Sequence, residues 1–379
     1  MVTMATIDVK DQDLLGTLQG FLKSILKQED ISAILAPWRL PMKNMVMPTL
    51  VTDPQQLDRV DPLSPAFPLN SAKVVSRLTR KASGDKVAAV MRPCEIRAFI
   101  ELTKLNQGRT EDLLIIGVDC LGAYRNTDFF RWIGDDADAA TRTYYTAVLN
   151  GGASPEGIDP AAACRVCEEP FPDGADIAIG LYGMDTGSQV LVEARTEKGQ
   201  PFLAGLKTAG DTPPPARQKA IDKLVEVRTA ARDEMFTDTQ AATDSLEKLS
   251  GYLANCVNCY NCRVACPVCY CRECVFVTDV FDHDPSQYLR WANRKGAVKM
   301  PTDTVFYHLT RLAHMSTACV GCGQCSNACP NDIPVMELFK SVARQTQDAF
   351  DYAAGRGLDE RPPLSEFRED EFPEVVGLN

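Results

Sequence analysis

The sequence predicts an α/β N-terminal domain followed by a mainly α-helical, cysteine-rich domain. Apolar runs at Val87–Met91 and Leu113–Val118 predict two buried strands, and Pro93 opens a helix between them that ends near Leu105. This strand–helix–strand order predicts parallel strands joined by a right-handed crossover. The third observation is that eleven of the fifteen cysteines lie between residues 256 and 329, beyond these strands.

Other local patterns complete the outline of the chain. The segment Ser71–Ala82 favours a helix with Ser71 at its N-cap, and strands are expected at Ala175–Ile179 and Gln189–Glu197. The Gly- and Pro-rich segment 207–216 is typical of a domain boundary, and a long polar helical stretch follows it to residue 253. We therefore divide the chain into an α/β domain, a linker with a helix, a helical domain and an acidic tail, at residues 1–206, 207–250, 251–350 and 351–379.

Charge and hydrophobicity limit the function classes. The net charge of −11 would repel phosphates and argues against nucleic-acid binding. The N-terminus lacks the basic start and apolar stretch of a signal peptide, and no apolar run reaches the roughly 20 residues of a membrane span. We therefore expect a cytoplasmic protein without a membrane span. In such a chain, regularly spaced cysteines bind metal more often than they form disulfides.

Two runs of cysteines have the form C-x2-C-x2-C-x3-C-P. Three cysteines two residues apart wrap a loop around one iron–sulfur cube, and the fourth leaves on a short helical turn and reaches the other cube. The proline after it redirects the chain. Zinc sites, the alternative, usually take two pairs of ligands with longer gaps. The spacing predicts two 4Fe-4S clusters with exchanged fourth ligands: Cys256, Cys259, Cys262 and Cys329 hold one, and Cys319, Cys322, Cys325 and Cys266 hold the other.

The 52 residues between the two runs look helical, for example at Thr304–Met315. The second run, from Cys319 to Cys329-Pro330 and on to Ile333-Pro334, carries a resemblance to the α-helical ferredoxins of the succinate dehydrogenase and heterodisulfide reductase families. The resemblance covers about residues 250–350. It implies that the helical domain is a two-cluster ferredoxin domain.

Four further cysteines lie in the α/β domain. Cys94 follows one predicted strand and Cys120 follows the next, so both should lie at the same edge of the sheet, where α/β proteins bind ligands. Cys164 and Cys167 form a C-x2-C pair that supplies two more thiolates. Together the four make a complete site for a third 4Fe-4S cluster. The alternative is that Cys94 and Cys120 are buried packing residues.

The motifs around these cysteines resemble those of the beta subunits of deazaflavin-reducing hydrogenases and formate dehydrogenases. They are Arg92-Pro93-Cys94-Glu95-Ile96-Arg97-Ala98, Gly117-Val118-Asp119-Cys120, and Cys164-x2-Cys167 before Ala175–Gly180. The resemblance covers about residues 45–200. It implies a 4Fe-4S cluster beside FAD, with a deazaflavin coenzyme or partner subunits as redox partners. Some members of that family also carry a C-terminal two-cluster module, which matches the order of domains here.

The same resemblance implies a flavin site at the segment Asn70–Lys73. The family usually has a Gly-Gly pair there, but a helix N-terminus with a nearby lysine can still bind a phosphate. The candidate flavin-binding residues are Asn70, Ser71, Lys73 and Arg92. Leu181 stands where the family often has an acidic residue, which weighs against use of the deazaflavin.

Cys269, Cys271 and Cys274 are not needed by these clusters. They could form a further metal site with His283 or His314, act as a redox pair, or be packing residues. The three histidines, His308 among them, also have a simpler interpretation as surface or helix-face residues. The sequence has no Ser/His/Asp set, phosphate loop or dinucleotide glycine motif, so no catalytic residue is predicted.

These features predict an iron–sulfur electron-transfer subunit of an anaerobic, cytoplasmic oxidoreductase complex. Its partner would be the catalytic subunit of a formate dehydrogenase or hydrogenase, or a heterodisulfide reductase-like assembly, and FAD would convert two-electron into one-electron transfer. A second hypothesis is a flavin-dependent dehydrogenase that acts on a deazaflavin or nicotinamide coenzyme itself. A third is a structural or redox-sensing iron–sulfur protein with no partner enzyme.

Overall fold

The computed structural model describes residues 2–365, apart from 29, 43, 83, 152–157, 211, 279–282 and 299–303. Strands β1 to β8 are Thr3–Asp8, Ile31–Arg39, Val46–Val51, Lys86–Met91, Leu113–Val118, Ile177–Gly180, Gln189–Ala194 and Lys207–Thr208. Helices α1 to α13 are Leu14–Leu26, Ala72–Thr79, Pro93–Lys104, Asn126–Trp132, Ala137–Leu149, Ala162–Arg165, Pro215–Thr243, Leu246–Tyr252, Asn261–Ala265, Pro285–Lys295, Thr304–Met315, Gln324–Asn327 and Val335–Ala349.

The strands form one mixed sheet in the order β3-β2-β4-β5-β6-β7-β1-β8. Strands β2, β4, β5 and β6 are parallel, which confirms the βαβ unit predicted from Val87–Met91 and Leu113–Val118. Every residue of β5 is buried, as expected for a central parallel strand covered on both faces. The outer strands β3, β7, β1 and β8 pair antiparallel. The sheet is therefore an α/β core with antiparallel edges.

Helix α3 begins at Pro93, as predicted, and positions Cys94 in its first turn. The buried carboxylate of Glu95 accepts from Arg92 N at 2.8 Å and from Ser71 N at 2.8 Å. One side chain thus satisfies backbone donors from two segments and holds the start of α2 against the start of α3. Ser71, the predicted N-cap of α2, makes no capping hydrogen bond through its hydroxyl. Asn70 Oδ1 accepts from Ala72 N at 3.0 Å instead.

The helical part packs directly on the α/β part. Residues Leu312, Val335 and Phe339 of α11 and α13 belong to the same buried cluster as Ile96 and Phe99 of α3. The other face of the sheet is covered by α1, α5 and neighbouring segments, which form a second buried cluster. The predicted fold class, an α/β domain plus a mainly helical domain, is confirmed, and the two parts share a hydrophobic core.

Three predicted boundaries differ from the structure. Lys207–Thr208, assigned to the linker, pairs with β1 and extends the sheet. The stretch predicted as one helix to residue 253 is two helices, because Ser245 caps α8 by accepting from Lys248 N at 3.3 Å. The predicted tail begins with buried residues: Tyr352 and Ala354 pack on α3, while residues 366–379 lie outside the described residues. No helix of the described segments is both long and apolar enough to cross a membrane.

Candidate functional site

The first ferredoxin site comprises Cys256, Cys259, Cys262 and Cys329, which line one cavity of about 330 Å³. Cys256 and Cys259 lie in the loop before α9, Cys262 lies in the first turn of α9, and Cys329 follows α12. Burial raises the pKa of the Cys256 thiol, and the charges of the other three thiols raise it further. The structure thus groups Cys329, from the second run, with the first three cysteines of the first run.

The second ferredoxin site comprises Cys319, Cys322, Cys325 and Cys266. Burial raises the pKa of Cys319 to about 11, and Cys266 is the strongest anionic neighbour. Burial and then Cys266 also raise the pKa of Cys322, and Cys266 acts on Cys325 in the same direction. The structure groups Cys266, from the first run, with the three leading cysteines of the second run.

Both runs wrap their thiols with the same backbone conformation. Asn258 and Tyr260 flank Cys259 with φ of 50° and 59°, and Gly321 and Gly323 flank Cys322 with φ of 67° and 76°. Left-handed backbone on both sides of the second cysteine turns the chain tightly around the site. Glycine adopts this left-handed conformation without strain, whereas tyrosine is strained in it. The Tyr260 ring packs 4.7 Å from the Tyr307 ring centroid, a contact that offsets this strain.

The N-terminal cysteine site comprises Cys94, Cys120, Cys164 and Cys167, brought together by α3, the end of β5 and α6. Burial raises the pKa of Cys164 to about 12, and the charges of Cys120 and Cys167 raise it further. Burial also raises the pKa of Cys94, with Cys322 and then Cys120 as the main anionic neighbours. The four predicted thiols are therefore neighbours, and Cys94 also lies beside the second ferredoxin site.

The two domains meet where these sites adjoin. A Cβ added to Gly323 would lie 2.4 Å from the Cβ of Ala163, the residue before Cys164. Gln324 Nε2 and Asn327 Nδ2 both donate to Phe67 O, at 2.9 and 3.1 Å. The second run is thus fitted against the α/β domain, and the three cysteine sites follow one another through the molecule.

The donor set fits iron–sulfur clusters. Each site presents four thiols, the ligand set of a 4Fe-4S cluster. Across the part of the chain that the structure describes, no three His, Cys, Asp or Glu side chains are arranged to hold a single metal ion. The thiols instead surround a volume, as the cavity of the first ferredoxin site illustrates.

A separate cavity of about 680 Å³ opens at the carboxyl edge of β2, β4 and β5. Its lining is mainly apolar and includes Cys120, Ser71 and Arg92. The Ser71 hydroxyl is buried and has no hydrogen-bond partner in the described residues. Arg92 stacks 4.7 Å from the Phe67 ring centroid and donates through Nη2 to Ala66 O at 2.6 Å. The mainly apolar lining and the unused hydroxyl fit an organic cofactor with an apolar ring.

Two of the four predicted flavin residues do not line this cavity. Lys73 Nζ donates to Val264 O at 3.0 Å, so its ammonium contacts the first cysteine run. The Asn70 amide lies beside the Cys322 thiol of the second ferredoxin site, where its hydrogen bond offsets a small part of the rise in pKa that burial causes. Ser71 and Arg92 remain as candidates on geometric grounds.

Sequence reasoning missed three residues of α11 that face the first ferredoxin site. Arg311 Nη1 donates to Cys262 Sγ at 3.1 Å, Tyr307 Oη lies 3.4 Å from the same sulfur, and His308 Nε2 lies 3.5 Å from Cys256 Sγ. His308 is 1% exposed, so the interpretation of this residue as a surface histidine is wrong. The spacing of 307, 308 and 311 places all three on one helix face, a pattern visible in the sequence.

Of the remaining cysteines, Cys269 packs against the same buried cluster as Cys266, and burial followed by the charge of Cys266 raises its pKa to about 11. Cys271 and His314 are exposed, and the His283 ring packs 5.2 Å from the Trp291 ring centroid. No fourth metal site of Cys269, Cys271 and Cys274 with a histidine forms within the described segments. Cys274 packs at the buried cluster of Phe276 and Tyr307, which agrees with a packing role.

The fold and its sites define an α/β protein whose helical C-terminal part carries two runs of cysteines. Residues 252–333 match the family model described as a 4Fe-4S dicluster domain. This match supports 4Fe-4S clusters as cofactors of the helical part.

Over most of its length the chain is similar to two formate dehydrogenase subunits. It is 26% identical over 366 residues to the F420-dependent formate dehydrogenase subunit beta of Methanocaldococcus jannaschii, covering 90% of this chain and 91% of that protein. It is 27% identical over 380 residues to the F420-dependent formate dehydrogenase 1 subunit beta of Methanococcus maripaludis, covering 92% of each. These similarities confirm the resemblance to such beta subunits that the sequence motifs predicted.

A solved structure also shows a likeness. A chain of the F420-reducing NiFe hydrogenase complex from Methanosarcina barkeri aligns with a TM-score of 0.46 and 14% identity. The alignment covers 65% of this chain and 94% of that chain.

Proposed function

We propose that this chain is an iron–sulfur electron-transfer subunit of a multi-subunit, F420-linked oxidoreductase. It would carry electrons between a formate dehydrogenase or hydrogenase catalytic subunit and an acceptor such as a heterodisulfide reductase-like assembly. The observation that carries this proposal is that three groups of four thiols lie near one another: Cys94 lies near Cys322, and the last cysteine of each run lies near the leading cysteines of the other. Adjacent sites are what stepwise electron transfer requires.

The ligands of the three clusters would be the three sets of cysteines described above. Exchange of Cys266 and Cys329 ties each cluster to both cysteine runs, so neither site can move without the other. Arg92 lies near the thiols of Cys120 and Cys94, and Arg228 of α7 lies near Cys167 and Cys120. These cations would balance the negative charge of four thiolates in the N-terminal site.

The cavity beside Cys120 would hold a flavin. A flavin there would supply the exchange between two-electron hydride transfer and one-electron transfer to the clusters. Ser71 would offer its free hydroxyl as a hydrogen-bond partner. Arg92 lies between the cavity and the thiols of the N-terminal cysteine site. It would hold the negative or electron-rich edge of the ring system next to the cluster of that N-terminal site.

Iron analysis with matched variants tests the cluster assignment. The intact chain, purified without oxygen, should contain about twelve irons and twelve labile sulfides. Cys256→Ala, Cys329→Ala and the double variant should each retain about eight irons, because both residues belong to one site. Cys319→Ala/Cys329→Ala should retain about four, because it damages two sites.

Cys271→Ala is the matched control and should retain about twelve irons, since Cys271 is exposed and outside the three sites. Fewer than about eight irons in the unaltered chain would refute the two-cluster core. The reverse order, about four irons in Cys256→Ala/Cys329→Ala and about eight in Cys319→Ala/Cys329→Ala, would refute the exchange of ligands.

The cavity also favours a second candidate function, a flavin-dependent enzyme that reduces or oxidises the deazaflavin itself. In that case the chain alone should bind flavin tightly and reduce F420 with artificial electron donors. A flavin-free chain with full iron content would leave only the relay.

A further inference from the structure

A buried arginine lies against the first ferredoxin site. Arg311 of α11 is 4% exposed, and its Nη1 donates to Cys262 Sγ at 3.1 Å while Nη2 donates to Cys262 O at 3.2 Å. The guanidinium carbon lies 4.6 Å from the Phe339 ring centroid and 5.6 Å from that of Tyr307. Two hydrogen bonds and two rings thus hold the cation in one orientation next to a predicted ligand.

The cation also lies near the second ferredoxin site. Burial raises the pKa of the Cys325 thiol and Arg311 offsets part of that rise, while Cys266 and Cys325 in turn help to raise the pKa of the guanidinium. Both cysteines belong to the second site. Cys325 also packs against the buried cluster that contains Cys262 and Tyr307, the two residues that Arg311 contacts, so the cation lies close to both groups of thiols.

No carboxylate pairs with Arg311 among the residues that the structure describes. Its Nε is also buried and has no hydrogen-bond partner there. A buried cation without an anion is costly, and buried charges are normally paired. The anions within reach are cysteine sulfurs, so the natural counter-charge of Arg311 is a cluster with thiolate ligands.

We propose that Arg311 is a positioning residue that supplies a shared counter-charge for the two ferredoxin clusters and raises the reduction potential of the cluster bound at Cys262. This inference rests on the proposed function, in which both sites hold 4Fe-4S clusters. Reduction adds one electron to a cluster and makes it more negative. A fixed cation and an N–H donor to a ligand sulfur stabilise that reduced state more than the oxidised one.

Redox titration of the intact chain, followed by electron paramagnetic resonance without oxygen, tests the role. In Arg311→Gln the equilibrium constant for reduction of the first-site cluster should fall at least tenfold, which is a midpoint about 59 mV more negative for one electron. Arg311→Lys keeps the charge but loses the planar N–H donors of the guanidinium and its stacking on the rings. Its midpoint should therefore lie between those of Arg311→Gln and the unaltered chain. Tyr307→Phe, which removes one group near the same sulfur, should shift the midpoint less than Arg311→Gln.

Arg109→Gln is the matched control, because it removes the same charge from a surface site paired with Glu111. Its midpoints should equal those of the unaltered chain. Equilibrium constants for reduction in Arg311→Gln and Arg311→Lys that stay within threefold of that of the unaltered chain would overturn the proposal, provided that iron content is equal in all samples.

Two other outcomes are distinguishable. If the unaltered chain itself lacks about eight irons, the proposed function fails and not merely the role of Arg311. If Arg311→Gln loses iron, Arg311→Lys decides: a midpoint more negative than that of the unaltered chain supports the role, and an unchanged midpoint rejects it.

Discussion

A buried ion pair beside Cys120 allows a quantitative prediction. Asp119 accepts from Arg217 Nη1 at 2.6 Å and Nη2 at 3.1 Å, and from the backbone N of Leu181 and Tyr182 at 2.8 and 3.1 Å. The side chains of Asp119 and Arg217 are 0% and 4% exposed. The pair joins the start of α7 to the carboxyl edge of the sheet, next to the N-terminal cysteine site.

Asp119→Asn should remove most of this ion pair between α7 and the sheet without changing the shape of the side chain. Arg217 would keep Glu193, whose Oε1 is 3.8 Å from Nε, and the charge of Asp173 as anionic neighbours. Breaking a buried pair by neutralising one partner costs about 3–5 kcal/mol, because the other charge stays buried and uncompensated. If that cost falls on the native state alone, unfolding should be at least about 100-fold faster.

The assay is the rate at which cluster absorbance is lost in guanidinium without oxygen, with iron content measured beforehand. In Asp119→Asn the irons of the N-terminal cysteine site should be lost before those of the other two sites. About eight of the twelve irons should then remain bound. Asp119→Asn/Arg217→Met removes both charges and should recover much of the stability, since an apolar pair of similar volume replaces the buried ions. Equal destabilisation of the single and double variants would show that the uncompensated charge is not the cause.

Three further predictions concern contacts between the two domains. Gly355→Ala should speed tryptic cleavage at Arg356. Gly355 has φ of +77°, and a Cβ there would lie 2.4 Å from a side-chain carbon of α3. An unchanged rate of cleavage would refute this prediction. Tyr352→Phe should destabilise the chain by about 1–3 kcal/mol in guanidinium unfolding, since its hydroxyl donates to the buried carboxylate of Glu101 at 2.6 Å. Glu168→Gln should cost about 3 kcal/mol at pH 7, because Lys and Arg neighbours outweigh burial and hold the Glu168 pKa to about 2 rather than 4.5. That stabilisation is complete above pH 4.5 and is lost as the pH falls through about 2. The variant should therefore lose the same free energy of unfolding at pH 7 as at pH 8. A loss that differs between these two pH values would contradict the prediction.

The sequence by itself determined the parts that depend on local spacing. Strand β5 and the start of α3 were predicted at Leu113–Val118 and Pro93 because apolar runs and N-terminal prolines act over a few residues. The grouping of thiols in the two runs followed from the reach of a three-residue spacer, and the structure groups them in the same way. Parallel strands likewise brought Cys94 and Cys120 to one edge.

Only the tertiary structure decided which charges surround these thiols. Arg311, His308 and Arg217 lie on helices whose sequence permits a solvent-exposed position, and their burial follows from packing between elements distant in the chain. Lys73 was predicted at a phosphate but contacts the first cysteine run, because the ferredoxin part covers α2. The sequence thus located four-thiol sites by local geometry, whereas the counter-charges that would govern their electron transfer depend on long-range packing.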